Sequence, residues 1–543
     1  MPLPFLTGSR RGRLLSIIIL LTVFVLWLGS PTPLSTVRQD PYNLHPVNPP
    51  PTSPNTDGAS HHQASPHNDS PSHEADDAHE AVDTPSSSTG HVLPDDADDN
   101  SKAEPADATT TTTTETSEAT PTSTLECLDY ETRQRQKAEP LSEGKRKFPY
   151  LRPPPECRKF PHPALEGLLD EVKKTVRDPD LFRLFENTYP ATLDTWVKWR
   201  GYAAKKDETT GEETKTDEEL AYVVSGDVDA MGLRDSANQM YSYLPLLRAS
   251  EDKDSLASLW RGVINSQARY IAVSPYCNAF QPPAESGIKP IHNPAYNKTA
   301  PPFDPQVVFD CKWELDNLAS FLQLSTAYHS RMDDLAFFGK YSWVDAVESA
   351  VAAATAMRRG TYDDKGNVIP SAWNSTDHAN ATHAGNPIKE NGMIRSAFRP
   401  NGEPCVFQLL TPSNMMFATY LDRASDIMQG LADGGATPKA ANLTAAMRDL
   451  AQGIRRGIAL DAVVTHRELG EIFAYEVDGF GGASLMDEAQ PPSLLAMPLW
   501  NFTLPATSGK TLVKSVKHTP RGEREPETDP NDSLDLSPPL PKT

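Results

Sequence analysis

Five cysteines in 543 residues are too few for a disulfide framework or a repeated zinc module. Basic residues are scarce as well. The 51 Lys and Arg stand against 73 Asp and Glu, a net charge of −22, so the chain is not built to coat nucleic acid and none is expected as a partner. Strand-like alternation is nearly absent, apart from short runs such as Ala221 to Val224. Proline runs the other way. Fifty prolines cannot sit inside one compact domain, so a large folded domain with disordered flanks is expected.

The flanks show in the composition. Residues 30–125 are mostly Pro, Ser, Thr, Asp and His, include the run Thr109 to Thr114, and hold too little apolar surface to offset the entropy of ordering them. Eleven acids and one lysine, Lys102, lie between Glu74 and Asp107, so close to half of the net charge belongs to this stalk. His62 and His67 have a spacing that zinc can use, but no cysteine or ordered scaffold accompanies them and no metal is expected. Upstream, a basic tail over residues 1–13 carries Arg10, Arg11 and Arg13 ahead of an apolar run from Leu14 to Leu28. At about 1.5 Å per residue the run is short for a hydrocarbon core of about 30 Å, so length does not decide between an anchor and a signal peptide. The run ends in Trp27, Leu28, Gly29, Ser30 and Pro31, a poor cleavage site, which favours an uncleaved membrane anchor over residues 14–29, with a secreted protein as the alternative. Under the positive-inside rule everything after Ser30 is then lumenal, in the secretory pathway. Seven Asn-x-Ser/Thr sequons, at Asn68, Asn297, Asn374, Asn380, Asn442, Asn501 and Asn531, are usable there. The stalk reads as O-glycosylated.

Residues 126–505 carry helical periodicity. Leu165, Leu168, Leu169, Val172 and Val176 form one stripe that stops at Asp178 before Pro179. Similar stripes run through Leu256, Leu259, Trp260, Val263 and Ile264, and through Val344, Val347, Val351 and Ala354, with Gly360 expected as a C-terminal cap. Further helices are expected over 236–248, 313–330, 414–430 and 440–458, about seven in all. The expected class is all-α, with the chemistry on the connections between helices.

Those connections cluster carboxylates and arginines. Asp227, Asp229, Arg234 and Asp235 lie in SGDVDAMGLRDSANQ; Glu314 and Asp316 in CKWELDNL; Arg395, Arg399 and Glu403 in GMIRSAFRPNGEPC; Glu476, Asp478, Asp487 and Glu488 in YEVDGFGGASLMDE. Acids mixed with glycine and aromatics suit a sugar pocket, because hydroxyls want bidentate acceptors and sugar faces stack on rings. Asp235 and Ser236 can equally cap a helix, and Glu314 with Asp316 can be an ion-paired helix start.

The strings GDVDAMGLRDS, SPYCNAF, CKWELD, SAFRP, PSNMMF and YEVDGFGGASLMDEAQPPSLL, in that order, resemble glycoside hydrolase family 125, the metal-independent exo-α-1,6-mannosidases. The resemblance covers about residues 155–500. It implies an (α/α)6 toroid, a mannose-containing glycan as substrate, no cofactor, and hydrolysis with inversion by one carboxylic acid and one carboxylate. Together with the loop chemistry it implies sugar contacts by Asp229, Arg234, Asp235, Glu314, Asp316, Arg399, Asn414, Glu476 and Asp478.

Three positions depart from the family pattern. Members typically follow SAFRP with Ser, Asp, Asp, and that acidic pair supplies the general acid; here the residues are Asn401, Gly402 and Glu403, which leaves Glu403 as the candidate donor. Family chains continue through further helices that carry the general base, whereas residues 506–543 read as a disordered tail, so an incomplete toroid without its base is expected, with turnover in doubt. Gly232 stands where the family usually has tryptophan. A non-catalytic mannose-binding or interaction protein is the alternative. Whether the five cysteines pair is left open.

Overall fold

A computed structural model describes residues 127–504, except 207–209, 212, 295–297, 377–384 and 436. The basic tail, the apolar run, the stalk with its histidines, the C-terminal tail and the sequons at Asn68, Asn297, Asn380 and Asn531 lie outside the described residues. Among the described residues no helix is long and apolar enough to cross a membrane.

Eight helices of nine residues or more carry the described fold: α1 Pro163–Thr175, α2 Pro179–Thr188, α3 Leu233–Tyr241, α4 Leu256–Val273, α5 Leu315–Met332, α6 Trp343–Ala356, α7 Thr411–Asp433 and α8 Ala440–Gly457. Seven match the stretches expected from periodicity. The eighth, α2, begins where the first stripe stops: the Asp178 carboxylate accepts hydrogen bonds from the Asp180 and Leu181 amides, and Pro179 takes the first helical position, where its missing N–H is no loss. Gly360 does not cap α6, which closes at Met357 three residues earlier.

Helix α5 is the axis of the described core. It packs against α3, α4 and α7, while α4 lies against α6, and α7 and α6 both lie against α8. Every residue from Leu315 to Tyr328 is buried, so no face of its first fourteen positions meets water. Leu318, Phe321, Leu322 and Leu324 join one continuous apolar cluster with Trp260, Trp343 and Phe417. Truncating a buried aromatic such as Phe321 to alanine in such a core costs about 3–5 kcal/mol.

The all-α expectation needs one correction. Strands β1, Val197–Lys206, and β2, Glu213–Val223, form an antiparallel hairpin with Val197 opposite Val223 and Gly201 opposite Leu220. Only the inner end of β2, Leu220 to Val223, is fully buried. Its outer part shows no apolar alternation because its side chains are held by charge. Arg261 pairs with Glu219, and Arg269 with Glu218 and Glu285, all from outside the hairpin. A three-stranded ribbon, β3 Leu409–Leu410, β4 Glu476–Val477 and β5 Ala483–Ser484 with β4 central, joins the start of α7 to the YEVDGFGG string.

Four of the five cysteines pair. Cys127 bonds Cys157 and Cys277 bonds Cys311, while Cys405 is a buried free thiol.

Candidate active site

The CKWELD and SAFRP strings run side by side. The Trp313 indole donates to the Arg395 carbonyl at 2.6 Å, the Ala397 amide to the Trp313 carbonyl at 3.0 Å, and the Leu315 amide to the Ser396 hydroxyl at 3.2 Å. Each string carries one half of a charged site.

The first half gathers around Arg234, in the opening turn of α3. Its Nη1 donates to Glu314 Oε2 at 2.9 Å and to Asp316 Oδ2 at 2.8 Å, with Asp235 at 3.6 Å from Nε. Asn317 Nδ2 donates to Glu314, and the Ser413 hydroxyl to Asp316. The Glu314 and Asp316 side chains are 2% and 0% exposed, so one guanidinium serves two carboxylates out of water. Burial raises the Glu314 pKa to about 7 even against the pull of Arg234, and the Asp316 charge adds to the rise. Burial works against the Arg234 charge too, but Glu314, Asp316 and Asp235 outweigh it and its pKa is raised. Gly232 leaves room for Asp235: a Cβ there would stand 2.7 Å from Asp235 Oδ2, so any larger side chain displaces that carboxylate.

The second half gathers around Arg399. Two parallel hydrogen bonds, 2.6 and 3.0 Å, tie it to the fully buried Glu476, and Nη1 donates to Glu488 Oε1 at 2.8 Å. Bidentate pairing of this kind fixes both planes. The Phe407 amide also donates to Glu476 at 3.2 Å, and the guanidinium lies over the Tyr475 ring at 5.7 Å. The Arg399 pKa is raised, first by its hydrogen bonds to Glu476. Cys405 sits between the halves. Its thiol is pushed well up by burial and then by the Glu476 charge, with Asp316 acting in the same direction.

A tight turn follows Arg399. Its amide donates to the Glu403 carbonyl at 2.7 Å, the Gly402 amide to the Arg399 carbonyl at 2.8 Å, and the Glu403 amide to the Asn401 side chain at 2.9 Å. Gly402 adopts φ +84°, the left-handed region that glycine enters without strain. The Glu403 side chain is exposed and its carboxylate has no hydrogen-bond partner among the described residues.

The residues named from sequence thus divide. Arg234, Asp235, Glu314 and Asp316 come together, as do Arg399 and Glu476. Asp229 stands apart, exposed and paired with Lys198 of β1 at 2.9 Å. Asp478 shapes its own turn, accepting from the Phe480 and Gly482 amides. Asn414 turns inward: it is fully buried, its amide donates to the Ile394 and Leu410 carbonyls, and its oxygen accepts from the Ile394 amide. Sequence reasoning names Glu488 among the clustered acids but not among the sugar contacts, and it does not name Tyr475 or Lys312, whose ammonium lies over the Phe398 ring at 5.6 Å.

A family model described as metal-independent α-mannosidase (GH125) matches residues 178–509, more than half of the chain. The chain belongs to glycoside hydrolase family 125. A meiotically up-regulated gene 157 protein of Schizosaccharomyces pombe is 35% identical over 385 residues, which cover 69% of this chain and 71% of that protein. A solved structure from a family of metal-independent α-mannosidases, that of Streptococcus pneumoniae in a non-productive substrate complex with α-1,6-mannobiose, is also similar. It is 25% identical with a TM-score of 0.50, covering 64% of this chain and 74% of that one. The strings that carry the two arginine-centred halves all fall inside the matched region. The chain is therefore an α-mannosidase-type glycosidase, and mannose-containing glycans are the substrates its family implies.

Proposed function

We propose that this chain is an exo-acting α-1,6-mannosidase that works with inversion and without metal or other cofactor, built on an (α/α)6 toroid to which the eight helices belong. The observation that carries the reading is the juxtaposition of the two ion-pair clusters across the CKWELD and SAFRP strings, beside the free carboxylate of Glu403. Buried ion pairs such as these hold the two arginines and the backbone around them in one geometry, while an exposed acid stays free to move a proton. Incubating the full chain with α-1,6-mannobiose tests it. Release of β-mannose as first product supports inversion; release of α-mannose overturns it.

A non-catalytic, mannose-binding role is the second reading, favoured by Gly402, Glu476 and Asp478. Gly402 brings no carboxylate to its turn, Glu476 is locked to Arg399, and Asp478 is spent on its own loop. Mannobiose binding by calorimetry without product would support it. The disulfides Cys127–Cys157 and Cys277–Cys311 support a secretory-pathway location for a membrane-anchored or secreted protein, since such bonds persist in oxidising compartments. Carbonate extraction of membranes tests the anchor: a protein released by the wash overturns it.

A further inference from the structure

Scattered apolar side chains are ordinary on a protein surface, so exposure alone assigns Phe480 nothing. How it is held sets it apart. Among the described residues it is the one exposed phenylalanine, 57% accessible, and it stands in the middle of the turn DGFGG. The Asp478 carboxylate accepts from the Phe480 amide at 2.7 Å and from the Gly482 amide at 2.8 Å, while the Asp478 carbonyl accepts from the Lys389 amide at 2.8 Å. Gly479 and Gly481 hold φ of +78° and +105°, a shape that other residues resist. The turn is thus fixed on both sides of an apolar residue that stays in water.

The turn also stands beside the segment that carries the candidate donor. A Cβ built on Gly482 would lie 2.9 Å from Phe407 Cε1, so the turn and Phe407 fit together because position 482 is bare. Phe407 follows Glu403 by four residues, a span of at most about 14 Å, and its amide donates to Glu476 at 3.2 Å. A Cβ on Gly481 would meet nothing within 4 Å, so the approach to Phe480 is open at that position. An acid that protonates a glycosidic oxygen has the departing sugar against it, and the rest of the glycan runs outward from there.

We propose that Phe480 is the platform on which the departing part of the glycan stacks, beyond the sugar at the scissile bond. The inference rests on the mannosidase reading and adds a preference to it, for α-mannosyl oligosaccharides of three or more sugars over disaccharides. A sugar ring offers a face of C–H groups, and an aromatic ring covers that face without needing a hydrogen bond. Because the turn is in place before the sugar arrives, little freedom is lost on binding. Phe480 touches no reacting atom, so the contact is the same before and during bond cleavage and acts through KM rather than kcat.

Two measurements on the full chain test the proposal. In hydrolysis, Phe480→Ala should raise KM for α-1,6-mannotriose about 3- to 10-fold, and by more than it does for α-1,6-mannobiose. Phe480→Trp should keep the preference for the longer sugar and Phe480→Leu should lose it, since leucine is apolar but has no flat face. Equal losses on both sugars, or full retention by Phe480→Leu, overturn the platform and leave the mannosidase reading standing. The second measurement needs no turnover: tryptophan emission of the Phe480→Trp chain should change on adding mannotriose, beyond any change in the wild type. Absence of that excess overturns the platform. A chain that hydrolyses neither sugar while the Phe480→Trp chain still responds overturns the mannosidase reading and keeps the platform.

Discussion

Gly402 turns its open side to Lys312: a Cβ built on it would meet nothing nearer than the Lys312 ammonium, at 3.9 Å. Space thus permits a side chain where backbone geometry resists one, because φ is +84°. Gly402→Ala should lower stability by about 1 kcal/mol. Gly402→Asp should lose less, since aspartate tolerates this region and its carboxylate reaches Lys312. Parallel urea melts of the two variants check the order, and Lys312→Met should narrow the difference to what the aspartate backbone preference alone supplies.

Arg234→Met should be the most damaging single change in the first cluster. It leaves Glu314 and Asp316 buried without their cation, a loss of about 3–5 kcal/mol. Denaturant unfolding reads the loss directly. A smaller loss in the double variant with Glu314→Gln would show that the missing charge, rather than packing, is responsible.

Glu314 should make stability depend on pH. Its pKa is 4.5 in a free chain and about 7 in the fold, so between these values the folded state binds more protons than the unfolded one. Stability is then fully present below about pH 4.5 and falls as pH rises through 7, with a limiting slope of about 1.4 kcal/mol per unit. Glu314→Gln should remove that contribution and raise stability at pH 8, as thermal melts across the range would read. An unchanged profile would show that Glu314 is ionised in the fold throughout.

Asn414→Ala should cost on the order of 3 kcal/mol, because three buried backbone groups lose their partner. Mannobiose affinity of the folded variant should stay at the wild-type value. A selective loss of affinity with unchanged stability would return Asn414 to the sugar site.

Cys405 should be silent to thiol reagents in the native chain and react once upon unfolding, since it is 5% exposed and its thiol is held protonated by burial. Intact mass after alkylation, without reductant, should show a single adduct only in denaturant.

How far these features can be read in sequence follows from where their causes lie. Helices α5 and α7 are local: their apolar residues recur along a few turns. The outer part of β2 is not, because Glu218 and Glu219 are held by arginines 51 and 42 residues away. The same divide runs through the site. Arg234 and Arg399 are legible inside their strings, while Glu488 belongs to the site only through a bond to a residue 89 positions earlier. Asn414 misleads for the opposite reason. It sits in a site string, but its side chain turns inward to bind backbone.

The Cys277–Cys311 bond makes the molecule tolerant of a cut. A chain severed anywhere between these residues remains one covalent body, with SPYCNAF still tied to CKWELD and Glu314 still opposite Arg234. Such a nicked protein runs as one band without reductant and as two with it. Processing within that interval and loss of the site are therefore separate events.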